Sequence, residues 1–391
     1  MIDSGAGRMV QSKKQTGGIY IHVPFCVKKC AYCDFYSITA LEKIPAFVDA
    51  LIHEMHLTAD FQFYADTLYF GGGTPSILSP EQIRRLIDTA AHRFQLSPSS
   101  EITIEANPGT VTAEKLAGFR QAGVNRINIG VQSFSDSALG FLSRIHTADD
   151  AIDAVSLARS AGLDNIGLDL IYGLPGQTER MWQADLQTAL RLSPQHLSCY
   201  MLTYEPGTPM ENNLRNGRFQ ALPEKNVGQL YDFTVQYLED NGFYQYEVSN
   251  FSTSNQTRSR HNQKYWIHAP YVGLGPSAHS LIDKRRSWNV RSLEAYLDKT
   301  GLGQLPIEDI EELSCRQLII ETLYLRLRCV DGLSILDFEK RFNIDFNRLF
   351  GSIVVAYESD GDLEIINNQC RLTHKGMLFA DNISSRFIDV I

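Results

Sequence analysis

Short runs of β-branched and aromatic residues, each closed by glycine or another turn residue, recur six times in the first half of the chain, and a longer amphipathic stretch separates each from the next. The runs are Gly18–Val23, Thr67–Phe70, Glu101–Glu105, Arg126–Val131, Asn165–Ile171 and Leu197–Leu202. Between them, stretches such as Glu81–Phe94 and Ala148–Ala161 carry apolar residues at helical spacing, with an Asp or Ser near the start. Strand then helix, six times over, argues for an α/β fold: a parallel sheet with helical crossovers. Several runs lead straight into polar or glycine-rich residues, which makes the C-terminal ends of the strands the expected working rim.

After about residue 205 the rhythm breaks. Glu224–Leu238 reads as a helix, Tyr244–Asn250 as a strand, and Ser252–Asn262 as a polar loop without apolar periodicity. The run TGLGQLP near residue 303 marks a boundary. Beyond it the pattern is helical from Ile307 to Arg328, then two shorter helices, a hairpin over Leu363–Leu372 and a last helix from near Lys375. The expected division is a flexible tail at 1–17, a barrel-type domain at 18–205, a segment completing it at 206–303, and a small α+β, winged-helix-like domain at 304–391. For 391 residues this agrees with a prior of about 150 per domain.

Winged-helix domains often bind DNA, but residues 305–391 hold nine Lys/Arg against fifteen Asp/Glu, so a protein-docking or lid role is expected instead. The whole chain carries a formal charge of −9, which gives it no electrostatic reason to seek nucleic acid or acidic lipid. With 43% hydrophobic residues it can bury a large core. The polar, glycine-rich first residues lack the apolar core of a signal peptide, and no stretch approaches the roughly 18 apolar residues of a membrane span. A cytoplasmic protein is expected.

Three of the seven cysteines, Cys26, Cys30 and Cys33, fall within eight residues, while Cys199, Cys315, Cys329 and Cys370 are scattered. In a reducing compartment such thiols read as free or metal-ligating before they read as disulfides. A buried cysteine stripe is one reading of the cluster, but Lys28, Lys29 and Pro24 mark an exposed loop. A structural zinc, with His22 as fourth ligand, is a second; it more commonly uses paired spacings that are missing here. The third is a four-iron cluster held by three thiolates, which leaves one iron open for chemistry.

At this point the sequence resembles the radical S-adenosylmethionine superfamily, whose signature is CxxxCxxC in the loop after the first strand of a partial (β/α)6, TIM-like barrel. Tyr32 fits the aromatic residue usual before the last cysteine. The resemblance implies a [4Fe–4S] cluster on Cys26, Cys30 and Cys33, with S-adenosylmethionine chelating the free iron and releasing a 5′-deoxyadenosyl radical on one-electron reduction.

Gly71-Gly72-Gly73-Thr74-Pro75 follows the second strand, where glycine lets backbone approach a ligand closely. By resemblance Gly72, Gly73 and Thr74 bind the cofactor's amino group through carbonyl oxygens. Glu105, Gln132, Arg144 and Asp169 stand at or just after the third, fourth and fifth strands. A carboxylate accepts hydrogen bonds from ribose hydroxyls, and an arginine fork suits a carboxylate. With Tyr20 in YIHVPFC, these match cofactor-binding residues of the oxygen-independent coproporphyrinogen oxidase family over most of residues 18–300.

Two features separate the branches of that family. The oxidases carry a fourth cysteine two positions after the third, where this chain has Phe35. They also lack the HNxxYW motif of the related heme chaperones known as HemW, here His261-Asn262-Gln263-Lys264-Tyr265-Trp266. The continuation YVGLGPSAHS, with Gly273, Gly275 and His279, and the C-terminal LTHKGMLFAD also resemble the chaperone branch. A neutral imidazole is a good axial ligand for heme iron, and Tyr265 and Trp266 offer flat apolar surface to a porphyrin. His261 is therefore expected as heme ligand, with Arg258 and Arg260 near the propionates; the alternative is a packed segment whose aromatics close the barrel. The function implied is a heme chaperone that delivers heme to target hemoproteins, the alternative being a radical coproporphyrinogen III oxidase. A third option, a tRNA-modifying radical enzyme, predicts a basic RNA-binding domain that the acidic C-terminal region does not supply. Expected partners are heme, a hemoprotein acceptor of a respiratory, membrane-associated kind, a reductase or flavodoxin-type electron donor, and a second copy in a homodimer.

Overall fold

The computed structural model describes residues 16–58 and 64–391. Six parallel strands form its centre: β1 (Thr16–Val23), β2 (Tyr64–Gly72), β3 (Glu101–Ala106), β4 (Arg126–Gln132), β5 (Asn165–Tyr172) and β6 (His196–Met201). Each lies within a few residues of its sequence run, and β1 takes in the last two residues of the expected tail, whose remainder lies outside the described residues. Helices cross over between them, and four of these open on a Ser or Thr side chain that accepts an N–H of the first turn: Ser79, Thr112, Thr147 and Thr178. Strand alternation then sorts the side chains. In β1, Ile19, Ile21 and Val23 are fully buried in the apolar core, whereas Tyr20 and His22 point inward to other polar and aromatic rings.

The barrel is partial. After β6 the chain makes a hairpin of β7 (Tyr244–Glu247) and β8 (Asn250–Ser252), which extends the sheet beyond β6, so the single strand expected at Tyr244–Asn250 is two. On the other side β9 (Tyr271–Leu274) runs parallel to β1 and is followed by β10 (His279–Ile282), β11 (Arg285–Asn289) and β12 (Ile307–Glu312). The twelve strands lie in the order β12-β11-β10-β9-β1-β2-β3-β4-β5-β6-β8-β7.

Strand β12 corrects the helix expected from Ile307. Opposite charges across the ladder, Arg285 facing Glu312 and Arg286 facing Glu311, favour pairing, and the helix begins only at Cys315, behind a Ser314–Gln317 capping box. The main sheet therefore reaches past the boundary expected at 303. The remainder of the chain folds as a small domain of helices Cys315–Leu327, Ile335–Phe342, Phe346–Asp360, His374–Met377 and Ala380–Ile388 with a short antiparallel sheet of β13 (Leu333–Ser334), β14 (Leu363–Ile366) and β15 (Gln369–Leu372). Its core is a set of phenylalanine contacts: Phe338, Phe346, Phe350 and Phe387 are buried against one another. Among the described residues no helix is long and apolar enough to cross a membrane.

Candidate cofactor site

The loop after β1 is tied at its base. Cys26 N–H donates to Ile38 O at 2.9 Å and Ile38 N–H to Pro24 O at 2.8 Å, so residues 26–38 form a closed excursion from the C-terminal end of the strand. The end of β2 packs against this base without room for side chains. Gly73 and Thr74 donate their N–H groups to Val23 O and Phe25 O, both at 2.8 Å, and a Cβ on Gly73 would lie 2.6 Å from Phe25 O. Gly72 has φ +106°, and a Cβ there would sit 2.7 Å from the His22 ring. Gly73 is thus required by the close approach of β2 to the base of the cysteine loop, and Gly72 by the His22 ring of β1.

A cavity of about 990 Å³ opens at this rim. Cys26, Cys30 and Cys33 all line it, and so do Gly72, Gly73, Thr74, Glu105, Gln132, Arg144 and Asp169. Thr74 Oγ1 donates to Cys26 Sγ at 3.5 Å, and Arg144 Nη1 to Cys30 Sγ at 3.5 Å. The Arg144 fork is steadied by a bond from Nη2 to Gly130 O, yet its Nε is buried without a partner. Gln132 ends β4 at φ +71°, beside a break in the β4–β5 register. Asp169 accepts from Asn128 Nδ2 at 2.6 Å through Oδ2, while Oδ1 is buried and unpaired. Unpaired buried polar atoms cost free energy unless something satisfies them, so these two side chains are set for a polar ligand.

Burial pushes the Glu105 carboxyl up to about 7, against hydrogen bonds from the Tyr69 hydroxyl and the Gly72 N–H that favour its charged form. Tyr69 Oη donates to Glu105 Oε1 at 2.7 Å. Burial likewise raises the Asp169 pKa, opposed by hydrogen bonds from Ser198 and Asn128 and by the nearby Arg126 and Arg144. Burial also raises the Tyr32 hydroxyl. Sequence reasoning missed Asn128 and Tyr69, which hold the two carboxylates; both point into the barrel, and period-two alternation is the signal for them. Of the small C-terminal domain, for which a docking or lid role was expected, it did not name the residues that wall the cavity, among them Met377 and Phe379.

Two expected residues lie elsewhere. Tyr20 does not line the cavity; it sits deeper in the barrel, its hydroxyl 3.2 Å from His22 Nδ1 and its ring stacked at 6.2 Å on Tyr69. His261 is at the opposite end. The polar loop expected at Ser252–Asn262 gives way to a short helix, Arg260–Trp266, capped by Ser259, which packs under β1 and β2. His261 Nδ1 is 2.8 Å from Thr67 Oγ1, Nε2 is 2.9 Å from Tyr265 Oη, and the ring stacks on Tyr69 at 5.0 Å. Burial, with help from Lys264 and Arg126, lowers its pKa to about 3. Both nitrogens are engaged in hydrogen bonds and the ring is buried in this arrangement. Arg258 and Arg260 are likewise spent, on Asp331 and Asp66, each at 3.2 Å.

The donor set suits a cluster better than a single ion. His22 is unavailable to zinc, because Nδ1 meets Tyr20 and Nε2 lies 2.9 Å from Tyr36 O. Among the described residues, no three Cys, His, Asp or Glu side chains converge closely enough to hold one metal ion. Residues 20–189 match the radical SAM superfamily and residues 313–379 the HemN C-terminal domain. The chain is 35% identical over 374 residues to the heme chaperone HemW of Bacillus subtilis, covering 94% of this chain and 98% of that protein. The HemW family therefore includes this chain. It is also 39% identical over 269 residues to the Escherichia coli HemW, covering 68% and 70% of the two chains. The solved coproporphyrinogen III oxidase HemN from Escherichia coli shares the fold, with TM-score 0.84 at 23% identity over 98% of this chain and 92% of that one. Membership of the radical SAM superfamily implies a [4Fe–4S] cluster and S-adenosylmethionine, and three thiols facing one cavity beside unpaired Asp169 and Arg144 atoms fit them.

Proposed function

We propose that this chain is a cytoplasmic heme chaperone: it binds heme, keeps a [4Fe–4S] cluster and S-adenosylmethionine at the C-terminal mouth of its barrel, and passes heme to an acceptor hemoprotein. The observation that carries the reading is similarity to heme chaperones over nearly the full length of both chains. Phe35 adds to it. It stands where the oxidase branch has a fourth cysteine, is 69% exposed and lines the cavity.

In this reading Cys26, Cys30 and Cys33 hold the cluster. Backbone oxygens of Gly72, Gly73 and Thr74 take the amino group of S-adenosylmethionine, Glu105 accepts from its ribose hydroxyls, and Arg144 faces its carboxylate. Gln132 and Asp169 supply further polar contacts, and Tyr20 supports them from below through Tyr69. When bound, the cluster and sulfonium supply one-electron chemistry. Around them the cavity wall from Met377 to Phe379 limits water. The acceptor is a respiratory, membrane-associated hemoprotein, electrons come from a reductase or flavodoxin-type protein, and the working unit is a homodimer.

The fold shared with HemN favours one rival, oxidative decarboxylation of coproporphyrinogen III. The test runs both arms on anaerobically reconstituted protein with reductant and S-adenosylmethionine. Hemin is expected to give a shifted, saturable Soret band and then move to an apo-hemoprotein, while coproporphyrinogen III is returned unchanged. Accumulation of protoporphyrinogen IX, or a hemin spectrum that the protein does not alter, would overturn the proposal.

A further inference from the structure

The cysteine loop carries its charge against the trend of the chain. The sequence as a whole has a formal charge of −9, yet residues 26–38 hold Lys28 and Lys29 against the single carboxylate of Asp34. Both lysines are exposed, at the rim of the large cavity. Among the described residues neither ammonium group has a carboxylate partner or a hydrogen bond. The segment seated on the loop has the same sign. Met210 N–H donates to Ala31 O at 3.0 Å, which fixes the helix Pro209–Arg215 against the loop, and Arg215 and Arg218 are exposed on that helix and the turn after it. These two are partly spent, Arg215 on Glu211 and Arg218 on Asn213 Oδ1 at 3.0 Å, which leaves the lysines as the free cations.

The three thiols are not equally covered. Cys26 is 9% exposed and sits under the Thr74 hydroxyl, whereas Cys30 and Cys33 are only half-buried. A redox group held by these thiols is therefore reached from outside past Cys30 and Cys33, on the stretch of loop that carries Lys28 and Lys29. Val27 and Phe35, 50% and 69% exposed, add apolar surface on either side of the cations. Transient electron-transfer contacts are small, below roughly 1,200 Å², and are steered by complementary charge around such a patch. A lipid surface or a nucleic acid would favour a denser and unbroken run of cations, and here Asp34 and Glu205 interrupt the rim. Separate cations with exposed apolar neighbours suit the discrete carboxylates of an acidic protein.

We propose that the outer face of the cysteine loop is the docking surface for the electron donor, a small acidic flavoprotein, with Lys28 and Lys29 meeting its carboxylates and Val27 and Phe35 its apolar contact. The inference rests on the cluster reading above and says where on this chain the donor sits. One electron leaves the donor's anionic flavin hydroquinone, which becomes the neutral semiquinone, and takes the cluster from its oxidised to its one-electron-reduced state; no bond is made or broken and no proton moves.

Charge reversal on the anaerobically reconstituted full chain tests this, with a flavodoxin as the probe and two readouts: its affinity by calorimetry and the second-order rate at which its hydroquinone reduces the chain. At an ionic strength of about 0.01 M, where a charge reaches about 30 Å, Lys28→Glu/Lys29→Glu is expected to weaken flavodoxin and slow reduction by about tenfold or more. Near 1 M salt, where the reach is about 3 Å, the difference is expected to vanish. Reduction by photoreduced 5-deazariboflavin, small and uncharged, is expected to be the same in variant and wild type. Arg316→Glu/Arg348→Glu makes the same change in net charge on exposed helix positions of the small domain and is expected to leave flavodoxin affinity and rate within about twofold. If the glutamates cost the chain its iron, Lys28→Gln/Lys29→Gln carries the same test with an effect of about threefold. Flavodoxin affinity and rate that are indifferent to the lysines, or that fall equally in the Arg316/Arg348 variant, overturn the surface while the cluster stands. A wild-type protein that accepts no electron from the deazaflavin removes the cluster reading and this surface with it.

Discussion

The two ends of the barrel are built on opposite principles. At the C-terminal mouth, thiols line a large cavity and polar atoms of Asp169 and Arg144 are left without partners. At the N-terminal end, His261 is buried with each nitrogen engaged, its helix held by Glu101, which accepts the His261 N–H at 3.1 Å, and by the ion pair of Lys264 with Asp66. Unsatisfied groups mark where a ligand contributes free energy; satisfied ones mark where the fold has already taken it.

The sharpest test of that contrast is the loss of a thiol. Cys26→Ala, Cys30→Ala or Cys33→Ala should each abolish bound iron and sulfide in anaerobically reconstituted protein, read by metal analysis and visible absorbance, because two thiolates hold a cluster poorly. Serine at Cys199, Cys315, Cys329 or Cys370 should leave the iron content intact. Next in size, His261→Ala should cost roughly 2–4 kcal/mol in denaturant unfolding, since it removes a buried ring stack and two hydrogen bonds. It should leave S-adenosylmethionine affinity where it was; unchanged stability would mean that the lower end is not sealed.

Arg144→Gln should do the reverse, weakening S-adenosylmethionine by about 10- to 100-fold in calorimetry at little cost in melting temperature, the size of a lost charge-assisted contact. The smallest effect concerns pH. Burial raises Glu105 to about 7. The ionised carboxylate is the form that accepts from two ribose hydroxyls, so affinity should rise as pH climbs through about 7, by up to roughly tenfold between pH 6 and 8. Glu105→Gln should flatten the profile; a slope that persists in the variant would assign the titration to another group.

Much of this was legible in the sequence because it is local. The six central strands and their crossover helices follow from side-chain periodicity and from caps such as Ser79 and Thr147, which act within a few residues. The glycine run after β2 was readable for the same reason. The features that escaped depended on remote partners. Ile307–Glu312 has no strand signature of its own and becomes one because Arg285 and Arg286 lie opposite its glutamates. The helix over Arg260–Trp266 has seven residues, too few to be stable alone, and exists because Asp66, Thr67 and Glu101 receive it.

The sequence by itself determined the fold class, the cysteine loop and the rim residues, since residue type, spacing and strand ends are properties of neighbours along the chain. Only the tertiary structure decided which polar groups are spent and which remain available. His261 and His268 flank the same aromatic pair, yet their hydrogen bonding is set by segments far away along the chain. One meets Thr67 and Tyr265; the other keeps a nitrogen unpaired behind Glu321. The physical reason is that hydrogen-bond satisfaction depends on side chains from distant segments, and burial sets how much an unmet one costs.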